Sequence, residues 1–357
     1  MKPFRKRLGQ PRKDSGFRMK NYWIWCGSVI RGDDGLFHMY ASRITKDLSF
    51  GPHWLTNSEI VHAASNSAEG PYEFSDVVLP PRDPLFWDGR MTHNPTIHRA
   101  GEEYLLYYTG TTYHFPMPAP DHPLKEFTPE FYEALRGLNI GLAKARSPYG
   151  PWERADEPVL QARPGNWDEY GVTNPAPLVR TDGSVLLGYK SARNPEVHGW
   201  PMVFNYGLAR ADRPEGPFER HPDKPVFRFE DPKVRIEDAC LWYEDGAFQM
   251  ILNDLTGKLT GEDHSGVHAF SEDGVTWRIA DPPQAYSRTV TWSDGSVTKQ
   301  GSLERPQLIT QHGIPTHLVC ATSDGPGHFN YAKNTWNIVI PLKPDLFSGG
   351  YELKQRQ

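Results

Sequence analysis

The stretch Val234-Arg-Ile-Glu-Asp-Ala-Cys-Leu-Trp-Tyr-Glu-Asp-Gly246 decides the fold. It reads as a short buried strand with two carboxylates, Glu237 and Asp238, where it opens. A polar turn ending in Gly246 follows, and then a second apolar run from Ala247 to Leu252. Apolar runs of this length bounded by turn residues are the mark of strands rather than helices.

The same plan recurs. Apolar strands preceded by tight turns stand at Leu36-Phe-His-Met-Tyr, Tyr104-Leu-Leu-Tyr-Tyr, Val185-Leu-Leu-Gly-Tyr, Phe248-Gln-Met-Ile-Leu and Thr316-His-Leu-Val-Cys. Four segments then close on a turn and an aromatic: Gly70-Pro-Tyr, Gly150-Pro-Trp, Gly216-Pro-Phe and Asp273-Gly-Val-Thr-Trp. Gly-Pro sets the turn, and the aromatic begins an outer strand. Each unit is strand, turn, strand, loop, strand, turn, strand. No such sheet can bury both faces alone, so five of them imply a ring, an all-β five-bladed propeller. Blades are expected over about 23–80, 87–160, 167–228, 234–287 and 302–345 of one domain spanning 1–357, after an N-terminal arm of 1–22. The fifth unit lacks a clear fourth strand, which either the segment before Trp23 or the tail near Tyr351 can supply. One insertion, from Thr112 to Gly137, contains a short helix capped by Thr128, started by Pro129 and ended by Gly137.

Composition agrees. The 357 residues include 32 Gly and 33 Pro, with 12% aromatics, which suits many turns and short strands. The net charge of -5 gives no reason to expect nucleic acid or an anionic membrane as partner. No apolar run approaches the roughly 20 residues of a membrane span. The basic start is not followed by an apolar signal core, so a cytoplasmic location is expected, or a periplasmic or secreted one if a signal was trimmed. Cys26, Cys240 and Cys320 each sit in an apolar run and are expected as reduced core thiols. A homo-oligomer is compatible with the sequence.

In a propeller the innermost strands line the central channel, so their openings become neighbours in space. Those openings are Trp25/Cys26/Gly27, His93/Asn94, Thr173/Asn174, Glu237/Asp238 and Glu304/Arg305. The set is polar, and Trp23, Trp25, Trp87, Trp167 and Trp242 are expected around it. Carboxylates, Asn and Arg bind sugar hydroxyls and aromatic faces stack on pyranoses, so a carbohydrate is the expected ligand. Strand alternation would turn Asp238 away from Glu237. Asp88 and Asp168, each after a Trp, are candidates either for ligand binding or for turn formation. Asp254, Glu262, Asp263, His264 and His268 have no metal-ligand spacing and read as a surface loop. No metal or other cofactor is called for by any motif.

These openings resemble those of the five-bladed propeller glycoside hydrolases, the arabinanase, invertase and levansucrase superfamily, and most of all its family 43-like and 117-like members. The resemblance runs over nearly the whole chain. It rests on Asn94-Pro95, Asn174-Pro175, Glu237-Asp-Ala239 and Glu304-Arg-Pro306. It implies that Glu237 is a general acid, with Asn174 where an Asp would tune it, and Cys26 where a blade 1 Asp would be base or nucleophile. That departure leaves Glu304, Asp238 or Asp168 to supply the second carboxylate. His93 is a candidate because 117-like members use a His in acid catalysis. Trp25, Arg90, Asn94, Asp168, Asn174, Lys190 and Arg305 are candidate substrate binders, Arg90 and Arg305 for an acidic group. A channel calcium is implied by the resemblance alone. The expected activity is exo-acting hydrolysis, with the insertion walling one side of the mouth. A non-catalytic carbohydrate-binding propeller and a glycoside phosphorylase remain as alternatives.

Overall fold

The computed structural model describes residues 3–199, 202–229, 231 and 233–343. Tyr351, and with it the expectation that the tail completes the ring, lies outside them.

Five sheets follow one another along the chain. The first is Tyr22–Arg31, Phe37–Thr45, Glu59–Ser65 and Glu73–Leu79, in sequence order and antiparallel. The second is Met91–Ala100, Glu103–Thr111, Asn139–Ala145 and Glu153–Arg154. The third is Tyr170–Val179, Val185–Ala192, Phe204–Ala211 and Glu219–Arg220. The fourth is Ile236–Glu244, Ala247–Asp254, Ser265–Ser271 and Arg278–Tyr286, and the fifth Ser302–Gln311, Ile314–Ser323 and Thr335–Pro341. Each first strand contacts the first strand of the next sheet, and the fifth contacts the first. That closed circuit makes the molecule a five-bladed β-propeller.

The circuit is held by apolar clusters between successive blades. Leu186, Leu208, Leu241 and Met250 join blades three and four; Leu105, Leu142, Val172 and Leu187 join two and three; Ile251, Leu303 and Leu318 join four and five. This is why the second strands are apolar on consecutive residues: both faces are covered, so alternation disappears. Truncating one such side chain, for example Leu187→Ala, removes packing worth about 2–5 kcal/mol.

The missing fourth strand of blade five comes from the N-terminus. Leu8 bridges Leu342 and Phe17 bridges Asn337, both antiparallel. Gly9 N donates to Pro341 O at 2.7 Å, and Asn337 N to Phe17 O at 2.9 Å. Phe17 is buried between blades five and one, and Phe4 between four and five. The helical insertion forms as expected: Pro129–Arg136 is an α-helix whose Thr128 hydroxyl accepts from Phe131 N. Phe131, Ala134 and Leu135 pack on Leu55, Met91, Tyr170 and Ala192, so the insertion spans three blades.

The Trp-Asp repeats form clasps. Asp88 accepts from Arg82 at 2.5 Å and from Tyr108 at 2.8 Å, and Trp87 stacks on Tyr108. Asp168 does the same with Arg163 at 2.9 Å, Arg220 at 3.0 Å and Tyr189 at 3.0 Å, and Trp167 stacks on Tyr189. Both oxygens of Asp168 are thus committed to the scaffold, which removes it from the candidate ligand binders and second carboxylates. Gly141 and Gly207 lie under the two Trp rings, where an added Cβ would approach indole carbons to 2.3 Å.

Candidate active site

The five strand openings share one backbone device. In each first strand three residues advance while the partner strand advances two, between Trp25 and Ser28, His93 and Thr96, Thr173 and Ala176, Glu237 and Cys240, and Glu304 and Gln307. Each is a β-bulge carrying one extra residue. Within it Cys26, Asn94, Asn174, Asp238 and Arg305 have φ of 54°, 54°, 57°, 57° and 52°. Asn and Asp tolerate this left-handed conformation; for Cys26 and Arg305 it costs about 1–2 kcal/mol.

The bulge corrects one expectation. Alternation should turn Asp238 away from Glu237, yet oxygens of Glu237, Asp238 and Glu304 lie within 4.8 Å of one another. A left-handed residue resets the direction of its own side chain, so both carboxylates face the axis.

The bulge residues form a belt across the channel. Cys26 Sγ donates to Asn94 Oδ1 at 2.8 Å, and Asn94 Nδ2 to Asn174 Oδ1 at 2.7 Å. Asn174 Nδ2 donates to Asp238 Oδ1, which also meets Arg305 Nη1 at 3.3 Å. All five are buried. Burial and the neighbouring charges of Glu237 and Glu304 hold the Asp238 carboxyl well above the usual range, against the pull of Arg305. Burial likewise pushes the Cys26 thiol up, so it stays protonated.

The residue before each bulge residue stands nearer the mouth. Glu237 meets Lys190 Nζ at 2.5 Å, with the two side chains only 14% and 15% exposed. Burial pushes the Glu237 pKa up, but Lys190, then Arg235 and His264, outweigh it and leave it lowered. Glu237 is therefore ionised at neutral pH. Glu304 is buried, and its Oε1 lies 2.8 Å from His264 Nδ1. That approach is an ion-pair contact not aligned as a hydrogen bond. Burial lowers the His264 pKa, but Glu304 more than restores it and the net shift is upward. The His328 ring sits 4.8 Å from that of His264.

His93 is different. It is buried, with Nδ1 2.7 Å from Ser58 Oγ and Nε2 3.8 Å from Cys26 Sγ. Burial, with Arg305 and Lys190 adding to it, pushes its pKa down to about 3. His93 is therefore uncharged at neutral pH, unlike the imidazolium that a His acid draws on. Trp25 is 4% exposed and set edge-on to Phe50 and Phe329. Trp87, Trp167 and Trp242 pack into blades. Of the expected ring of aromatics, Trp87, Trp167 and Trp242 therefore do not face the belt. Arg90 lies over Tyr113 at 5.6 Å, its Nε buried without a partner.

No family model matches the chain, and no curated protein does. Solved structures do. A family 117 glycoside hydrolase of the marine bacterium Zobellia galactanivorans superposes with a TM-score of 0.61 at 18% identity, over 94% of this chain and 89% of that one. Another glycoside hydrolase gives 0.66 at 15%, over 94% and 92%. A GH43_1 enzyme of Xanthomonas citri gives 0.56 at 13%, over 90% and 89%. The chain has the fold of these glycoside hydrolases.

The channel calcium implied by the resemblance needs six to eight oxygen ligands. Here Glu237 is held by Lys190, Asp238 by Arg305 and Asn174, and Glu304 by His264. Each carboxylate already faces a cation, and the residues do not fit calcium. His264, Glu304 and His328 bring two nitrogens and an oxygen within 4.8 Å of one another, a donor set of zinc type rather than calcium type.

Two residues escape a motif search. His264 belongs to the cluster that reads as a surface loop, and His328 belongs to no motif. A signal for both exists in the repeat. First strands open at the mouth, so the loop between second and third strands returns to the mouth in every blade. His264 ends that loop in blade four and His328 lies within it in blade five.

Proposed function

We propose that this protein hydrolyses a glycosidic bond at the channel mouth. His264 is the proton donor and Glu237 the anionic carboxylate facing the sugar. The observation that carries this assignment is the opposite charging of the two side chains. Lys190 and Arg235 keep Glu237 ionised, whereas Glu304 favours the protonated imidazole of His264. Pairs of titratable groups pushed in opposite directions are the usual sign of an acid and a base. This reverses the role that resemblance gives Glu237.

In the reaction His264 donates its proton to the leaving oxygen as the C–O bond breaks. Glu304 steadies the imidazolium beforehand and orients the ring, a positioning role. Glu237 stabilises the oxocarbenium ion and either bonds to the anomeric carbon or takes a proton from the attacking water. If Glu237 bonds to the anomeric carbon, neutral His264 takes a proton from the incoming water as that water displaces the Glu237 ester, which restores both groups; if Glu237 instead takes the proton of the attacking water, it releases it to solvent and His264 is reprotonated from solvent. Glu237 and Glu304 approach too closely to act as an inverting pair, which needs roughly 6.5–9.5 Å to lodge a water. The helical insertion lies in the blade-two loop on the mouth side and packs across blades one to three, a placement that supports cleavage at a chain end.

The test is a panel of aryl glycosides and oligosaccharides with Glu237→Gln and His264→Gln. Each substitution should lower kcat by about 10²–10⁴-fold. Glu304→Gln should move the alkaline limb of the pH profile to lower pH, because His264 then loses its proton earlier. Wild-type rates in both Glu237→Gln and His264→Gln would remove the proposal. The released anomer, followed by NMR, separates the two routes open to Glu237. Cys26 in place of a blade 1 carboxylate supports a second reading, a binding propeller. Sugar binding without turnover across the panel would establish it.

A further inference from the structure

Between blades three and four, beside Glu237, lies a cleft of about 580 Å³. Trp167, Arg193, Phe204, Arg228, Phe229 and Arg235 are among its walls. We propose that this cleft is a subsite for an acidic sugar, whose carboxylate or sulfate is held by Arg193, Arg228 and Arg235. The inference rests on the carbohydrate reading above and narrows its substrate to an anionic saccharide.

The charge is the first argument. Three guanidiniums gather in one cleft of a chain whose net charge is -5. Among the described residues none of the three lies within ion-pair distance of a carboxylate; Arg193 Nη2 lies 3.0 Å from His198 Nε2, which also lines the cleft. The two acids in the same walls have partners other than the three arginines. Glu169 accepts from Asn194 N at 3.1 Å and lies 3.6 Å from His198, and Asp231 accepts from Lys233 N and faces Lys258. Elsewhere in the molecule Arg82, Arg99, Arg163 and Arg220 all meet carboxylates.

Arg235 supplies the second argument. Its Nε is buried with no hydrogen-bond partner. Burial lowers its pKa, and only the charge of Glu237 opposes this. A buried donor left unpaired is destabilising, more so when charged, unless a ligand or water completes it. Guanidinium is also the group that binds planar carboxylates and sulfates through two parallel hydrogen bonds.

The third argument is continuity. The Phe204 ring lies under Arg235 at 4.3 Å and under Lys190 at 4.4 Å, and Lys190 holds Glu237. One ring therefore floors both the cleft and the approach to the proposed reacting carboxylate. Phe227 and Phe229, stacked within 8° of parallel, offer apolar faces for sugar C–H groups at the other side.

The test measures binding by calorimetry, with galacturonic acid di- and trisaccharides, their methyl esters, and a sulfated galactose disaccharide as probes. Wild type should bind an acidic probe at least tenfold tighter than the neutral ester. Arg193→Met/Arg228→Met, both exposed positions that leave the core untouched, should lose that preference while keeping binding of the ester. Which acidic probe wins distinguishes carboxylate from sulfate. Equal affinity for acid and ester, an acid preference that survives the double variant, or no binding of any acidic probe would overturn the subsite. Acid-selective binding without turnover would leave the subsite standing and remove the hydrolase reading. Turnover of neutral glycosides without acid preference would do the reverse.

Discussion

The Lys190–Glu237 pair can be weighed without knowing the substrate. Both side chains are about six-sevenths buried and meet at 2.5 Å. Lys190→Met leaves Glu237 facing Asp238 and Glu304, with Arg235 as its remaining strong cationic neighbour. Removing one member of a buried pair costs about 3–5 kcal/mol. Residual exposure and Arg235 place this case at the lower end, about 3 kcal/mol. Glu237→Gln should cost less, about 1–2 kcal/mol, because it also removes a like charge from a crowded carboxylate cluster. In the double variant no uncompensated charge remains, so the losses should fall short of their sum by about 1–3 kcal/mol. Urea unfolding of the four proteins at pH 7, with slopes compared to exclude denatured-state changes, gives the coupling. Additivity within about 0.5 kcal/mol would show that the pair is not buried and interacting as described, and the charging of Glu237 would lose its basis. At a pH low enough to protonate Glu237 the coupling should vanish.

Other outcomes can be read as directly. His268 is 4% exposed, bonded to Gln249, and its pKa is pushed down to about 4 by burial, with smaller help from Arg7. The unfolded chain takes up that proton near pH 6.5, so stability should fall as pH drops from about 6.5 to 4, by about 3 kcal/mol from this residue. His268→Gln should lessen the slope in that window in urea titrations, with His93 and His98 still contributing; an unchanged slope would contradict it. Cys26, Cys240 and Cys320 are buried and free, and burial raises all three thiols. A disulfide reagent should find none in the native protein within minutes and all of them after denaturation; rapid native labelling would refute the burial. Thr128→Ala should weaken the insertion by about 0.5–2 kcal/mol, seen as faster amide exchange across Pro129–Arg136 with little change elsewhere.

Much of the architecture was legible because the repeat is written in turn residues. Gly-Pro-aromatic closures and apolar second strands state the four-strand unit, and Thr128, Pro129 and Gly137 state the helix. The site was half legible. The five openings are found by alignment of the units, and all five bulge residues meet. The sense of each side chain is not found that way, because a left-handed residue follows no period and Asp238 reads as an ordinary strand position. Charging was the other hidden quantity. Lys190 lies far from Glu237 in sequence, and His264 from Glu304, so which carboxylate is ionised depends on contacts between blades. The same holds for Asp168, which resembles a ligand until Arg163, Arg220 and Tyr189 are seen around it.

The pairing of residues 8–17 with the strand Thr335–Pro341 has a consequence for biosynthesis. The arm leaves the ribosome before any blade and finds its partner last. At about 5–20 residues per second, synthesis of the intervening chain takes roughly 15–65 s. Through that time Phe4 and Phe17, which end buried between blades, have no blade five to enter. Blades one to four can assemble in order as they emerge, but the circle stays open until its two ends meet. Until then the arc has two uncovered apolar blade faces, one at each end, and the closing step is the last to become possible. A partner that shields the arm during those seconds would favour the closed ring over pairing between two unfinished chains.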